Sequence, residues 1–246
     1  MALPALVLVH GGAHASDCWN LTIGEIRRLA PELTVLAVDL PGRRGKQGDL
    51  ATLTIDDWVD SIVTDVNAAG LKEVVIVGHS MAGVTVPGVV ARLGASRVRE
   101  MIFAAACVPP EGRAMVDVIA PLTAHIARRN AKKTKPYVVP PLLARLFFLN
   151  GASRERRRFM AGRLYPESNR ILLEAVTRRG IPTEVARSWI LTTRDRTHSR
   201  KEQRASIEAI GGVDTLIPID CGHALMVSEP EMLAEILLER CRRYAK

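Results

Sequence analysis

Aromatic side chains are scarce in this sequence: Phe, Trp and Tyr together make up only 4% of its 246 residues. Hydrophobic residues nevertheless make up 48%, so aliphatic side chains and alanine must fill the core. The length is sufficient for one large α/β domain and does not require two. There is no internal repeat and no low-complexity tract.

The sequence also lacks long apolar runs and closely spaced cysteines. No apolar run approaches the roughly 20 residues that a membrane-spanning helix needs. The opening run from Ala2 to Val9 has neither the basic leader nor the cleavage site of a secretory signal. The four cysteines form no CxxC pair, so we expect reduced thiols in a cytoplasmic protein rather than a disulfide framework. They are Cys18, Cys107, Cys221 and Cys241.

Positive charge is concentrated in one segment. The net charge is +8, but residues 128–163 contain eleven Lys or Arg against one acid, Glu155. This basic segment is either a solvated face of surface helices or a surface that attracts an anionic ester. A nucleic-acid-binding surface is disfavoured because the segment lacks interleaved aromatics, and its adjacent Phe pair is expected in the core. The aromatic residues of the segment are Tyr137, Phe147, Phe148 and Phe159.

Short apolar runs alternate with helical patterns, which predicts βαβ units around a mainly parallel sheet with helices on both faces. The predicted strands are 6–9, 35–38, 74–77, 101–105, 189–192 and 216–219. The predicted helices are 55–69, 82–93, 200–210 and 231–244. Between about residues 108 and 181 this alternation is lost, and helical patches at 142–149 and 168–179 replace it. We therefore predict an α/β core of residues 1–107 and 182–246, with an inserted helical cap of residues 108–181.

The most informative motif lies at residues 74–83, which read VVIVGHSMAG. A buried-type strand is followed by G-x-S-x-G and then by a helix-compatible run. At such a strand-to-helix turn the serine has a strained backbone and an outward hydroxyl above a helix N-terminus. In this context the motif predicts Ser80 as a nucleophile, whereas by itself it would also fit a glycine-rich turn with a solvated serine.

The first predicted strand ends in the sequence His10, Gly11, Gly12. Ester hydrolysis passes through a tetrahedral oxyanion, which preplaced N–H groups stabilise. We predict the amides of Gly12 and of Met81, the residue after the nucleophile, as these donors. The alternative of a phosphate-binding turn is disfavoured because neither GxGxxG nor GxxxxGK[ST] is present.

A serine hydroxyl needs a base to remove its proton. His223 follows the last predicted strand and precedes the final helix, where the chain order Ser, acid, His places the base. Asp195 follows the fifth predicted strand and is the predicted acid that orients the imidazole. Asp220 is its rival, but it lies only three residues before His223. Arg194 and Arg196 offer Asp195 an alternative role as a surface ion-pair partner.

With these residues the chain resembles the plant-type methyl esterase and hydroxynitrile lyase branch of the α/β-hydrolases. The likeness covers nearly the whole chain, although residues from about 113 to 145, where the substrate is chosen, match poorly. It implies an α/β-hydrolase fold, no metal or organic cofactor, and a substrate bound near Gly11, His14 and Ala224. The similar motifs are HGGAH at 10–14 with Trp19, DLPG at 39–42, TTRD at 192–195 with EQR at 202–204, and CGH at 221–223 with SEP at 228–230.

The two activities of this branch differ at two positions. The lyases usually have a threonine just after the opening histidine and a lysine just after the catalytic one, and the lysine receives the departing cyanide. Here these positions hold Gly11 and Ala224, so the resemblance implies an esterase that acts on a small carboxylic ester. The alternatives are a lyase-like or other non-hydrolytic enzyme of this fold, and a catalytically silent ligand-binding member. We expect neither nucleic acid nor membrane as a partner, and a homodimer is left open.

Overall fold

The computed structural model describes residues 2–119, 121–131 and 136–246. Within them, six parallel strands form one sheet. All six predicted strands are present and differ from the prediction only at their ends. The strands are β1 (Ala5–Val9), β2 (Val35–Val38), β3 (Val74–His79), β4 (Val98–Ala104), β5 (Ala186–Thr192) and β6 (Thr215–Ile219).

The order of the strands brings two loops side by side. The order is β2-β1-β3-β4-β5-β6, so the chain extends the sheet first on one side of β1 and then on the other. In a parallel sheet wound in this way, ligands bind at the carboxyl ends of the strands where the direction reverses. The reversal lies between β1 and β3, whose register pairs Val9 with Gly78. The loops after these two strands contain the predicted oxyanion residues and Ser80.

Helices cover both faces of this sheet. Helix α2 begins with a capping box, in which the side chains of Thr54 and Asp57 each accept a hydrogen bond from the other's amide. Helix α2 has 14 residues. None of the helices in the described ranges combines the length and apolar composition of a membrane span. The helices are α1 (Asn20–Leu29), α2 (Ile55–Ala68), α3 (Val86–Leu93), α4 (Pro121–Ala131), α5 (Pro141–Leu143), α6 (Arg154–Ala161), α7 (Asn169–Leu173), α8 (Arg200–Ala209), α9 (Leu225–Ser228) and α10 (Pro230–Arg242).

Two apolar clusters enclose the sheet, because successive side chains of a strand point to opposite faces. On β3, Ile76 belongs to the same cluster as Trp58 of α2, whereas its neighbour Val77 belongs to the cluster of Leu237 on α10. Strands β1 and β3 are buried along their whole length, while the edge strands β2 and β6 are partly exposed. The strand that leads to Ser80 is therefore held from both faces and along both edges.

The segment between β4 and β5 contains α4 to α7 and a π-helix (Ala144–Phe148). The predicted helical patch 168–179 is shorter than expected, because the chain after α7 pairs with another segment instead. The Val176 amide donates to the Arg113 carbonyl, and the Gly112 amide donates to the Val176 carbonyl, both at 3.0 Å. The division into core and cap stays a prediction.

Candidate active site

Ser80 occupies a sharp turn between β3 and α3. Its φ is +53°, in the left-handed region where a non-glycine residue is strained by about 1–3 kcal/mol. A tight 3-10 turn over Ser80–Val84 follows, and α3 starts at Val86. The α-helix predicted from residue 82 therefore begins later than expected, because the chain must first reverse at Ser80. The Ser80 side chain is partly exposed at the carboxyl end of the sheet.

Two glycines allow other backbone segments to approach this turn closely. A Cβ atom on Gly11 would lie 2.8 Å from the Cβ of Ser80, which is closer than real side chains approach. A Cβ atom on Gly83 would overlap the carbonyl oxygen of Cys107, whose amide donates to the Ser80 carbonyl at 2.9 Å. The loop after β1 and the chain after β4 therefore pack directly on the turn.

The structure brings the three predicted residues Ser80, His223 and Asp195 together. The Nε2 of His223 lies 2.8 Å from the Oγ of Ser80, and its Nδ1 lies 2.7 Å from the Oδ2 of Asp195. Each residue follows a strand, so the carboxyl ends of β3, β5 and β6 position the three side chains. Because a carboxylate only accepts, Nδ1 holds the proton and Nε2 presents a lone pair to the serine hydroxyl. An imidazole placed in this way can remove the serine proton.

The carboxylate of Asp195 is buried but well supplied with hydrogen bonds. Its Oδ1 accepts from the amides of Thr197 at 2.7 Å and His198 at 2.8 Å, and its Oδ2 accepts from the hydroxyl of Thr192 at 2.9 Å. Burial by itself would raise the pKa of Asp195. The neighbouring imidazole of His223 and the hydrogen bonds from His198 and Thr192 outweigh burial and hold this pKa below its usual value. Asp195 is therefore an anion at neutral pH.

Asp220, the rival acid, lies on the outside of the molecule. Its side chain is 76% exposed, and its Oδ1 lies 3.1 Å from the Nε of Arg194. The hydroxyl of Thr193 also donates to it, at 2.9 Å. Of the two neighbouring arginines that could have drawn Asp195 into a surface ion pair, Arg194 is thus bound to Asp220. The geometry favours Asp195 as the partner of His223.

The loop after β1 places Gly12 against Met81. A Cβ atom on Gly12 would lie 3.4 Å from the Cε of Met81. The Nδ1 of His10 lies 2.8 Å from the Gly11 carbonyl, and the Nδ1 of His14 lies 2.7 Å from the Gly12 carbonyl. Within the described ranges, neither the Gly12 amide nor the Met81 amide donates to another group of the protein. The role of these two amides as oxyanion donors stays a prediction.

Three histidines near Ser80 are uncharged at neutral pH. Burial lowers the pKa of His10 to about 3 and that of His14 to about 4. Burial also holds the pKa of His79 well below its usual value. The Nε2 of His79 donates to the carbonyl of His223 at 3.0 Å. These rings therefore fix backbone positions around the site and add no positive charge beside His223.

The segment between β4 and β5, called the helical segment below, forms the other wall of the site through Phe148. The sequence did not single out this ring. The Phe148 ring centroid lies 5.8 Å from that of His223 and 5.7 Å from that of His14, and its carbonyl accepts from the Ala224 amide at 3.0 Å. Phe148 ends the π-helix, an element that is frequent at functional sites. The expectation that the Phe pair lies in the core is wrong for Phe147, which is 44% exposed, whereas Phe148 is partly buried and packs against the core. Two adjacent phenylalanines give no signal of which ring faces a site.

Three described residues of the basic segment are paired with acids. Arg128 lies 2.9 Å from Asp117, Arg156 lies 2.7 Å from Glu231, and Arg163 lies 3.7 Å from Asp17. Attraction of an anionic ester by this segment stays a hypothesis. Its exposed arginines include Arg145, Arg154 and Arg158, and its lysines Lys132, Lys133 and Lys135 lie outside the described residues.

The cysteines offer no rival nucleophile. All four are buried without a disulfide. Burial raises the pKa of Cys107, beside Ser80, and of Cys221, near His223, to about 12, so neither is a thiolate at neutral pH. Nothing in the described ranges groups three or more His, Cys, Asp or Glu side chains as a metal site would. Ser80 is therefore the best-placed nucleophile.

Comparisons with known proteins identify the family and the fold. The chain is 24% identical over 257 residues to a probable esterase, PIR7A, of Oryza sativa subsp. indica, with 97% of each chain covered. It is similar in structure to an extracellular alpha/beta-hydrolase from a Paenibacillus species, with a TM-score of 0.85, 22% identity and coverage of 97% of this chain and 99% of the other. A methylesterase of Arabidopsis, MES16, gives a TM-score of 0.78 at 19% identity, with 98% and 100% covered. Residues 6–236 match the family described as the alpha/beta hydrolase family, and the chain belongs to that family.

Proposed function

We propose that this protein is a serine hydrolase that cleaves a small carboxylic ester through an acyl-enzyme. The observation that supports this most is the hydrogen-bonded series from Asp195 through His223 to Ser80, with distances of 2.7 and 2.8 Å. Relatives described as esterases support an ester as the substrate class. Because some similar proteins are methylesterases, a methyl ester is the first type of ester to test.

The first half of the reaction forms the acyl-enzyme. His223 takes the proton of the Ser80 hydroxyl while the oxygen attacks the ester carbonyl, and the anion of Asp195 stabilises the imidazolium that results. The negative charge that develops on the carbonyl oxygen is stabilised by the amides of Gly12 and Met81. His223 then gives its proton to the departing alcohol.

The second half releases the acid. A water molecule takes the place of the alcohol, and His223 removes its proton as the oxygen attacks the acyl group on Ser80. The same amides stabilise the second oxyanion, and the proton returns to Ser80 when the acid leaves. Each proton therefore moves through the one imidazole nitrogen that faces Ser80.

The residue after His223 disfavours cyanide release. Ala224 is buried and presents only a methyl group, whereas a cyanide leaving group would need a cation at this place. An alcohol leaving group needs only a proton, which His223 supplies. The arrangement therefore fits ester hydrolysis better than the lyase reaction.

The direct test is Ser80→Ala, assayed on p-nitrophenyl acetate and with a fluorophosphonate probe. We expect kcat to fall by at least about 10³-fold, because the nucleophile is lost, and the probe to label the wild-type protein but not the variant. Ser153→Ala, at an exposed position, is the matched control and should retain both signals. Undiminished turnover in Ser80→Ala would reject the proposal, and a wild-type protein that is neither labelled nor active would indicate a ligand-binding member instead.

A further inference from the structure

We propose that Arg43 and Glu167 form a buried positioning pair that holds the loop after β1 in the shape that presents the Gly12 amide to an oxyanion. The pair connects the loop after β2 with the helical segment between β4 and β5, and both of its members bind backbone atoms of the loop after β1. This inference rests on the proposed function, since it concerns the oxyanion of that reaction.

Glu167 binds the loop from the side of the helical segment. It is 4% exposed, and its Oε2 accepts from the amide of Ala13 at 2.7 Å. Its Oε1 accepts from the Nη2 of Arg43 and from the amide of Ser168, each at 2.6 Å. The amide of Tyr165 donates to the Ala13 carbonyl at 2.9 Å. Both backbone polar groups of Ala13 are therefore bound by this one stretch of the helical segment.

Arg43, in the loop after β2, also binds the loop after β1. It is 1% exposed, and its Nε donates to the carbonyl of His14 at 3.1 Å while its Nη2 donates to Glu167. The guanidinium also lies 5.9 Å from the ring centroid of Trp58. A planar guanidinium can serve two acceptors in fixed directions, which a lysine ammonium cannot do as well.

The loop needs such support because its backbone is strained next to the predicted donor. Ala13 has a φ of +57°, and a non-glycine residue keeps this conformation only where its surroundings enforce it. Gly12 directly precedes Ala13, so a change of backbone conformation at Ala13 would displace Gly12 and its amide relative to Ser80. Donors to an oxyanion act only within a narrow range of distance and direction. The charge pair therefore acts on the reaction through the loop and does not touch the substrate.

A second buried pair supplies a matched control. Glu100 and Arg240 lie 2.8 Å apart, with side chains that are 0% and 4% exposed. Glu100 stands near the amino end of β4, at the opposite end of the sheet from Ser80. Neutralising either glutamate leaves a buried arginine without its anion, so both changes should lower stability. Only the change at Glu167 should alter the reaction.

The experiment compares Glu167→Gln with Glu100→Gln on p-nitrophenyl acetate. We expect Glu167→Gln to lower kcat by about 10-fold or more, part of the roughly 10²–10³-fold that loss of one oxyanion donor causes, with KM changed by less than about 3-fold because ground-state binding is spared. Glu100→Gln should lower the melting temperature similarly but retain kcat. Arg43→Lys keeps the buried charge pair and should give a smaller loss of kcat. It tests the proposal even if the Glu167→Gln protein fails to fold.

An arylboronic acid supplies an independent readout of the oxyanion site. Ser80 adds to boron and passes its proton to His223, which leaves a tetrahedral boronate without any oxidation or reduction. Its affinity should fall in Glu167→Gln by about the same factor as kcat. If folded Glu167→Gln and Arg43→Lys both keep wild-type kcat and boronate affinity, the positioning role is overturned while the proposed function stands. If the wild-type protein neither hydrolyses the ester nor binds the boronic acid, the proposed function fails and the positioning role fails with it.

Discussion

The two sides of His223 are held in different ways. On the side of the sheet, its ring nitrogens form hydrogen bonds of 2.7 and 2.8 Å with Asp195 and Ser80. On the side of the helical segment, it faces the ring of Phe148 at a centroid distance of 5.8 Å. Hydrogen bonds weaken steeply with distance and angle, whereas packing contacts are weak individually and tolerate small shifts. We therefore expect the sheet side to determine proton transfer and the helical side to determine which groups fit.

The elements on the two sides of His223 also differ in how far they are buried. Strand β3 is buried at every position up to Ser80, so its end can hardly move without disturbing the core. The π-helix that ends at Phe148 exposes Leu146 and Phe147, each at 44%. We therefore expect side chains of the helical wall to tolerate substitution better than those at the end of β3.

The largest effect is expected from Asp195→Asn, which removes the carboxylate that binds His223 on the sheet side. An asparagine amide can donate to Nδ1 and so favour the wrong imidazole tautomer, and kcat on p-nitrophenyl acetate should fall by about 10⁴-fold. Asp220→Asn is the control, because that exposed ion pair should matter little, and its kcat should stay near wild type. Equal losses in the two variants would contradict the assignment of the acid.

A smaller effect is expected from Phe148→Ala, which removes the ring that faces His223 on the helical side. Loss of a ring contact worth about 1–1.5 kcal/mol should lower kcat/KM by about 10-fold. We expect most of the change in KM, and more for an aromatic ester than for an acetate, because the ring acts as a wall. Phe147→Ala removes the exposed neighbour and should change neither constant. Indistinguishable kinetics for the two variants would mean that Phe148 does not contact the substrate.

The last prediction concerns stability rather than turnover, and it compares His14, in the loop after β1, with His125 of α4. The pKa of His14 is lowered from 6.5 to about 4 by burial, so the unfolded chain binds more protons between these values and stability falls as the pH drops from 6.5 to about 4. His14→Gln should reduce the slope of unfolding free energy against pH by about one proton, or ~1.4 kcal/mol per pH unit. His125→Gln, at an exposed position of α4, is the control. Chemical denaturation at several pH values measures the slope, and an unchanged slope in His14→Gln would contradict the neutral state of that ring.

Much of the sheet and of the site could be predicted because the signals are local. All six strands contain a short apolar run in the sequence, and a strand covered by helices on both faces, such as β1 or β3, needs apolar residues throughout. Ser80, Asp195 and His223 each follow such a run, and the carboxyl ends of parallel strands meet at one edge. The prediction therefore needed only the order of the motifs along the chain.

The helical segment was less predictable because its contacts are long-range. Phe148 faces the site and Phe147 faces solvent, a difference that depends on a π-helical turn. The chain leaves helix α7 early because Val176 finds partners at Gly112 and Arg113. Neither feature is visible in the local sequence, because Phe148 and Val176 both form backbone hydrogen bonds with residues far away along the chain.

The sequence by itself determined the strands, the family, and which serine, histidine and aspartate stand at strand ends, because burial patterns and turn residues act over a few positions. Only the tertiary structure decided which acid turns toward His223, which ring closes the site, and that Arg43 meets Glu167 across 124 positions. These outcomes depend on hydrogen bonds and packing between distant segments, whose free energy exists only when the whole chain has folded.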